Sequence, residues 1–347
     1  MSTHMTVTGQ QGFSLIEVMV STVVALFATL AIFQSFAVSE GYRRTATGGG
    51  DASFSGAVGA YLIDHDLRMA GYGVNKATYL GCAATGSDQG RAINFTLAPA
   101  QITAGVTDSI TVVASGATMM PGPINLTTAL AAPTNTYTVS NAFGVTNGDV
   151  LLLAEVGQAC TLVQATNTPT SGSSNQNVIQ HATSGRYNPA GGLGPNYSAN
   201  AVVMDMGTAP TVSTYYILNN TLMVDQRVSG QLAQPIASNV VQLKALYGKD
   251  TNADGIVDAW NTVAPATSSD WGNVLAIRVA LVARSVQPEK PNPTTGVCST
   301  TTAAPSVTWD DGTVTTLDLS ANGSWQCYRY KVFHMTSSLR NLIWTPT

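Results

Sequence analysis

Gly12-Phe13-Ser14-Leu15-Ile16-Glu17 opens an apolar run that continues from Val18 to Val38. From Phe13 to Glu40 there is neither Gly nor Pro, and between Glu17 and Glu40 no side chain carries a charge. Val18 to Val38 is 21 residues, against the ~20 needed to cross a bilayer as a helix. Ser21, Thr22, Thr29, Gln34 and Ser35 fit such a helix, because short hydroxyls and amides find partners on the backbone or on neighbouring helices. A cleaved secretory signal has a shorter apolar region of ~7–15 residues with a small-residue cleavage site behind it, and neither feature is present. The run therefore reads as a membrane-spanning helix. A plain anchor leaves Glu17 unexplained: a carboxylate facing lipid costs on the order of a few kcal/mol and calls for a cationic partner.

The hexapeptide resembles the processing site of type IV prepilins, a short leader ending in Gly, then Phe, then an apolar run with Glu at its fifth position. The resemblance implies that a prepilin peptidase cuts between Gly12 and Phe13 and that Phe13 becomes the N-methylated first residue. It also implies that Glu17 meets the amino terminus of a neighbouring subunit, which supplies the missing cation. The partners implied are other minor and major pilins, engaged through the amino-terminal helix, and the inner-membrane pilus assembly platform. The leader, Met1 to Gly12, carries His4 but no Lys or Arg, whereas leaders of that family are usually basic. Arg43 and Arg44 follow the run, so a positive-inside count alone would leave the rest of the chain in the cytoplasm.

Composition and cysteines point the other way. Only 10% of the 347 residues are charged, against ~25% in ordinary globular proteins, while Thr, Ser, Asn, Gly and Ala abound. That is the profile of an exported β-rich protein. The net charge is −4 with no run of Lys or Arg, so a nucleic-acid footprint is absent. The four cysteines, Cys82, Cys160, Cys298 and Cys327, contain no C-x-x-C pair, which argues against zinc or a thioredoxin-like site. An even number in an exported chain reads as two disulfides. Three connectivities are open; nearness in sequence favours Cys298 with Cys327 and Cys82 with Cys160. Free buried thiols are the alternative.

Beyond the membrane the helix is expected to continue to Thr47 and to break at Gly48-Gly49-Gly50, each Gly costing about 1 kcal/mol in a helix interior. Asp51 would cap a second piece with Phe54, Val58, Tyr61, Leu62 and Met69 at helical spacing, ending at Ala70-Gly71-Tyr72-Gly73. Leu62 to Gly73, with its aspartates, arginine and Ala-Gly-Tyr-Gly, resembles a signature of PilW-type minor pilins, and Leu339-Arg340-Asn341 resembles the ending of that family. His65, between Asp64 and Asp66, reads as a solvated helix position.

From Ile110 onward short β-branched runs alternate with turns, the pattern of an antiparallel sheet. The expected strands are 109–114, 136–140, 150–155, 160–165, 201–205, 212–218 and 221–225, then 236–247, 274–286, 314–319 and 325–335. Asn219-Asn220 suits a hairpin turn, and Thr166 to Asn200 reads as a long surface loop with a glycine cluster at 191–194. A Cys298–Cys327 disulfide would close a loop of about thirty residues, worth ~3–4 kcal/mol if chain entropy dominates; a stapled carboxyl-terminal loop is a recurrent pilin feature. The fold class is α+β and pilin-like: a long hydrophobic amino-terminal helix packed on a large antiparallel β-rich head. The expected divisions are a leader at 1–12, a transmembrane and assembly helix at 13–40, its continuation at 41–73, and a head at 74–347.

Asp250, Asn252, Asp254 and Asp258 stand at positions 1, 3, 5 and 9 of a loop with Gly255 at 6 and the Ile256 carbonyl at 7. That is the spacing of an EF-hand-type calcium loop, and three close carboxylates favour a cation among them. Position 12 is Asn261, not Glu, and an Asp/Asn turn held by its own backbone is the alternative. His4, His65, His181 and His334 stand apart, and neither G-x-S-x-G nor H-E-x-x-H occurs, so no catalytic group can be assembled from sequence. The expected function is that of a minor pilin in initiation and assembly of type IV pili, near the tip. A minor pseudopilin of type II secretion and a tip adhesin are the alternatives.

Overall fold

The computed structural model describes residues 12–119, 122–131, 135–189 and 195–343. The leader before Gly12 and the glycine cluster at 191–194 lie outside the described residues.

One helix, α1, runs unbroken over Leu15–Met69, 55 residues and about 80 Å. The expected break at Gly48-Gly49-Gly50 is absent, and packing explains why. Gly48 is buried, and a Cβ there would meet the Ser285 Cβ at 3.1 Å. A Cβ at Gly56 would fall 2.1 Å from the Phe333 ring, and one at Gly59 would fall 2.7 Å from Leu222. Tertiary contact with a sheet that needs glycine at close range outweighs an intrinsic cost of about 1 kcal/mol per residue. The buried stripe is accordingly Ala52, Gly56, Gly59, Ile63, Leu67 and Ala70. Phe54 and Tyr61, expected on that face, are 73% and 68% exposed. The helix ends as the sequence predicts, with Gly71 at φ +80° donating its N–H to the Val113 carbonyl at 2.8 Å.

Nineteen strands follow among the described residues. The first seven are β1 Ala83–Asp88, β2 Arg91–Thr96, β3 Ala100–Thr103, β4 Ser109–Ala114, β5 Pro123–Asn125, β6 Thr136–Thr138 and β7 Val150–Ala154. Next come β8 Cys160–Gln164, β9 Val178–Gln180, β10 Val202–Asp205, β11 Thr211–Leu218, β12 Thr221–Gln226 and β13 Gln234–Ser238. The last are β14 Val240–Lys249, β15 Ala259–Asn261, β16 Val274–Arg284, β17 Ser306–Thr308, β18 Val314–Thr316 and β19 Tyr330–Ser338. Two short helices, α2 (Ser268–Gly272) and α3 (Arg340–Ile343), complete the fold.

Three sheets build the head, ordered β2-β1-β8-β7-β10-β5, β13-β12-β11-β4-β3 and β15-β14-β16-β19. All neighbours are antiparallel except β1 and β8. The α1 stripe packs on the second and third sheets, where Ile63 and Leu67 join Ile110, Val112, Leu222, Leu243, Ile277, Val279 and Leu281 in one core. The β17–β18 hairpin covers the opposite side of the third sheet, burying Trp309, Leu317 and Leu319 against Val241, Ala280 and Val282. The first sheet packs on Val113 and Val212 of the second through one face. Its other face carries β6 and β9 through Tyr137, Val139 and Ile179.

Several sequence expectations change. The expected strand 236–247 is two strands in different sheets, because Asn239 at φ +59° turns the chain between β13 and β14. Of the expected strand 325–335, residues Trp325–Cys327 form a 3₁₀ turn and pairing starts at Tyr330. The expected loop 166–200 contains β9 and buries Ile179, His181, Tyr187 and Tyr197. Strands β1 to β3 precede the expected β region; β1, Ala-Ala-Thr-Gly-Ser-Asp, carries no apolar alternation that could have marked it.

Candidate functional site

The stem is bare. Phe13 is 87% exposed, and Leu15, Ile16, Phe27, Phe33 and Phe36 are also open, with no part of the head covering them. An apolar helix exposed all round is stable only where lipid or other helices replace water. At its start Ser14 is an N-cap: its hydroxyl accepts from the Ile16 N–H at 3.3 Å, while its own N–H donates to Glu17 Oε2 at 3.1 Å. Glu17 is therefore engaged by its own helix end. The S-x-x-E signature of this capping box was legible at Ser14 and Glu17 and bears directly on how a carboxylate is held beside an apolar run.

At the other end of α1, the segment around Ala-Gly-Tyr-Gly and the tail around Leu-Arg-Asn meet. Asn341 Nδ2 donates to the carbonyls of Met69 at 3.2 Å and Ala70 at 3.0 Å, and the Asn341 carbonyl accepts from Asn75 Nδ2 at 2.5 Å. The last carbonyls of a helix lack intrahelical donors, and here a side chain 271 residues away in sequence supplies them. Leu339 is buried in the core that holds Ile63 and Leu67. Asp64 accepts from the Ser337 hydroxyl and pairs with Arg68 at 2.7 Å, and Asp66 accepts from the Tyr215 hydroxyl at 2.6 Å. His65 stays exposed, its Nδ1 3.2 Å from Asp66 Oδ1. The aspartates thus lock the helix to β19 and β11.

A family model described as the prokaryotic N-terminal methylation motif matches residues 8–33, spanning Gly12, Phe13 and Glu17. A second, described as type IV pilus-assembly protein W, matches residues 211–341, from β11 to the Asn341 joint. The two matches support a type IV pilin-like protein of the PilW type. No curated protein and no solved structure matches it.

In this pilin-like chain Cys82 is joined to Cys160 and Cys298 to Cys327. The first disulfide ties the segment entering β1 to the start of β8, the one parallel pair in the three sheets. The second closes the region that carries the β17–β18 hairpin.

The calcium reading of 250–258 is not supported. Among the described residues no group of three His, Cys, Asp or Glu side chains converges as a metal site. Asp250 turns inward and accepts from the backbone N–H groups of Asn252, Ala253, Asp254 and Gly255. Burial disfavours its charge, but those four donors together hold its carboxyl below the usual range. Asp254 accepts from the Ile256 N–H, and Asp258 accepts from the Thr251 N–H and hydroxyl. Each carboxylate is satisfied by the loop itself, the behaviour of an Asx-type turn.

Two further titratable groups, His181 and Asp205, are distinguished only by burial, which the sequence does not display. His181 is 1% exposed beside the Tyr137 ring, and burial lowers its pKa to about 4. Asp205 is also 1% exposed; burial raises its pKa to about 6 against a hydrogen bond from the Gly207 N–H, and nearby Asp149 raises it further.

Proposed function

We propose that this chain is a minor pilin that enters the inner membrane as a prepilin through 13–40, with its head in the periplasm. It is cut after Gly12, methylated on Phe13, and joins other pilins through α1 during initiation of a type IV pilus, near the tip. The observation that carries this reading is the coincidence of a methylation motif at 8–33 with a stem that its own head leaves bare. A head of three sheets is bulky for a repeating shaft subunit and is accommodated at an end. Glu17, held by its own cap before assembly, becomes the acceptor for the amino terminus of a neighbouring subunit.

Two experiments test this. Mass spectrometry of the mature chain should give a methylated polypeptide beginning at Phe13, and Gly12→Ala should abolish that product; an unchanged mature mass in the variant removes the processing step. Deletion of the gene should abolish surface fibres. Fibres that persist without attachment would instead favour a tip adhesin, and lost secretion with normal fibres would favour a type II pseudopilin.

A further inference from the structure

Gly48, the first buried residue of α1 among those described, lies ten residues beyond Val38, where the apolar run ends, or about 15 Å of helix. At the level of Gly48 the head forms a partial collar against one side of the helix, leaving Gly50 and Asp51 exposed. Its strap begins at Ser285, which exchanges hydrogen bonds with the Arg329 backbone at 2.9 and 3.3 Å. The Glu289 N–H donates to the Cys327 carbonyl at 2.7 Å, the Thr301 hydroxyl donates to the Tyr328 carbonyl at 2.6 Å, and the Cys298–Cys327 disulfide closes the strap covalently. Two open cavities flank the helix here. One of about 220 Å³ is lined by Glu40, Arg43, Asp51 and Gln287; the other, about 380 Å³, by Thr300, Thr301, Arg329 and Lys331.

Charge is partitioned towards this end. Arg43, Arg284, Lys290, Arg329 and Lys331 are five of the chain's 15 Lys and Arg, whereas Glu40, Asp51 and Glu289 are three of its 19 acids. The collar is thus cationic in a chain of net charge −4. Arg43 pairs with Glu40 at 3.0 Å, and Arg329 uses Nε on Glu289 at 2.9 Å. Among the described residues no carboxylate pairs with Lys290 or Lys331, and the Arg284 guanidinium lies over the Tyr328 ring at 4.2 Å.

We propose that this collar is drawn towards the anionic phospholipid headgroups of the bilayer that α1 crosses, Arg329 and Lys331 being among the cations that the surface attracts. The inference rests on the membrane-anchored reading above. The headgroup layer extends about 5–7 Å beyond the hydrocarbon on each side, and an anionic surface acts over a further Debye length of about 8 Å at physiological salt. Together these distances span the interval from Val38 to the collar. Arg offers a forked donor set suited to phosphate and Lys a compact charge. Each such cation near an anionic surface strengthens attachment about fivefold.

The test uses the full chain in nanodiscs of phosphatidylcholine, with or without phosphatidylglycerol. Acylation of Lys331 is read by mass spectrometry against Lys76, which is exposed beyond the far end of α1. Phosphatidylglycerol should lower relative labelling of Lys331 about fivefold. High salt should restore it, as should Arg329→Gln with the Cys298–Cys327 disulfide intact and Lys76 labelling unchanged. Equal labelling in both discs overturns the proposal. So does equal protection by millimolar inorganic phosphate in phosphatidylcholine discs, which would assign the cavity to the free anion. A chain that does not enter nanodiscs at all refutes the membrane-anchored reading instead.

Discussion

Glu17 and Asn341 sit near opposite ends of α1 and solve related problems. A helix leaves four donors unpaired at its start and four acceptors at its end; Glu17 answers one donor through Ser14, and Asn341 answers two of the acceptors. Glu17→Gln keeps a capping side chain but removes the charge, whereas Glu17→Val removes both. Both variants should insert in the membrane, and both should be poorly incorporated into sheared fibres if the carboxylate meets a neighbouring amino terminus. Normal incorporation of the Gln variant would assign Glu17 to capping alone. Asn341→Ala should leave the Met69 and Ala70 carbonyls without that donor and lower stability by about 1–2 kcal/mol, read as a fall in the melting temperature of the full chain in detergent. The Leu-Arg-Asn resemblance was visible in the sequence, but its physical reason required seeing the tail folded back onto the helix end.

At the scale of elements, α1 shows where local rules yield. Three consecutive glycines predict a break, yet the helix passes through them: Gly48 packs on Ser285 while Gly49 and Gly50 face open space, and the sheet comes too close for larger side chains further on, at Gly56 and Gly59. Gly56→Ala should therefore destabilise, by about 1–3 kcal/mol as overpacking against Phe333, although Ala is the better helix former. Adding Phe333→Leu should recover part of the loss, and full additivity of the two in thermal unfolding would show that they do not touch. The Cys298–Cys327 staple belongs to the same scale. Replacing both cysteines by serine should cost about 3–4 kcal/mol by loop entropy and should release Thr301 and Glu289 from the 326–328 backbone, read as faster amide exchange there.

At the scale of the whole molecule, pH dependence near neutrality comes from two buried groups with opposite signs. Folded His181 titrates near 4 against an ordinary 6.5, so as pH falls from 6.5 the unfolded chain takes up a proton that the folded one refuses, and stability is lost. Folded Asp205 titrates near 6 against 3.8, so its penalty is fully present above pH 6 and is relieved as pH falls towards 4. Each is worth roughly 3 kcal/mol at full extent, and between pH 6 and 4 they oppose one another. His181→Gln should make the head more stable on acidification through that window, and Asp205→Asn should make it less stable. Melting profiles that keep the parent's slope in both variants would refute the assignment.

Most of what concerns the stem was legible in the sequence: an uncharged apolar stretch of 21 residues has one physical destiny in a cell, and the Gly-Phe boundary with Glu17 behind it is a local pattern. Strands rich in β-branched residues, such as 109–114 and 150–154, were legible for the same reason, because period and propensity are local properties. Only the tertiary structure decided which face of α1 is buried, since close approach selects Gly and Ala over Phe54 and Tyr61. It alone divided 234–249 between two sheets and joined the Ala-Gly-Tyr-Gly segment to the tail around Asn341. It also turned the acids of 250–258 onto their own backbone. Burial, close approach and satisfaction of polar groups depend on partners far away in sequence, and those partners are chosen only when the chain folds.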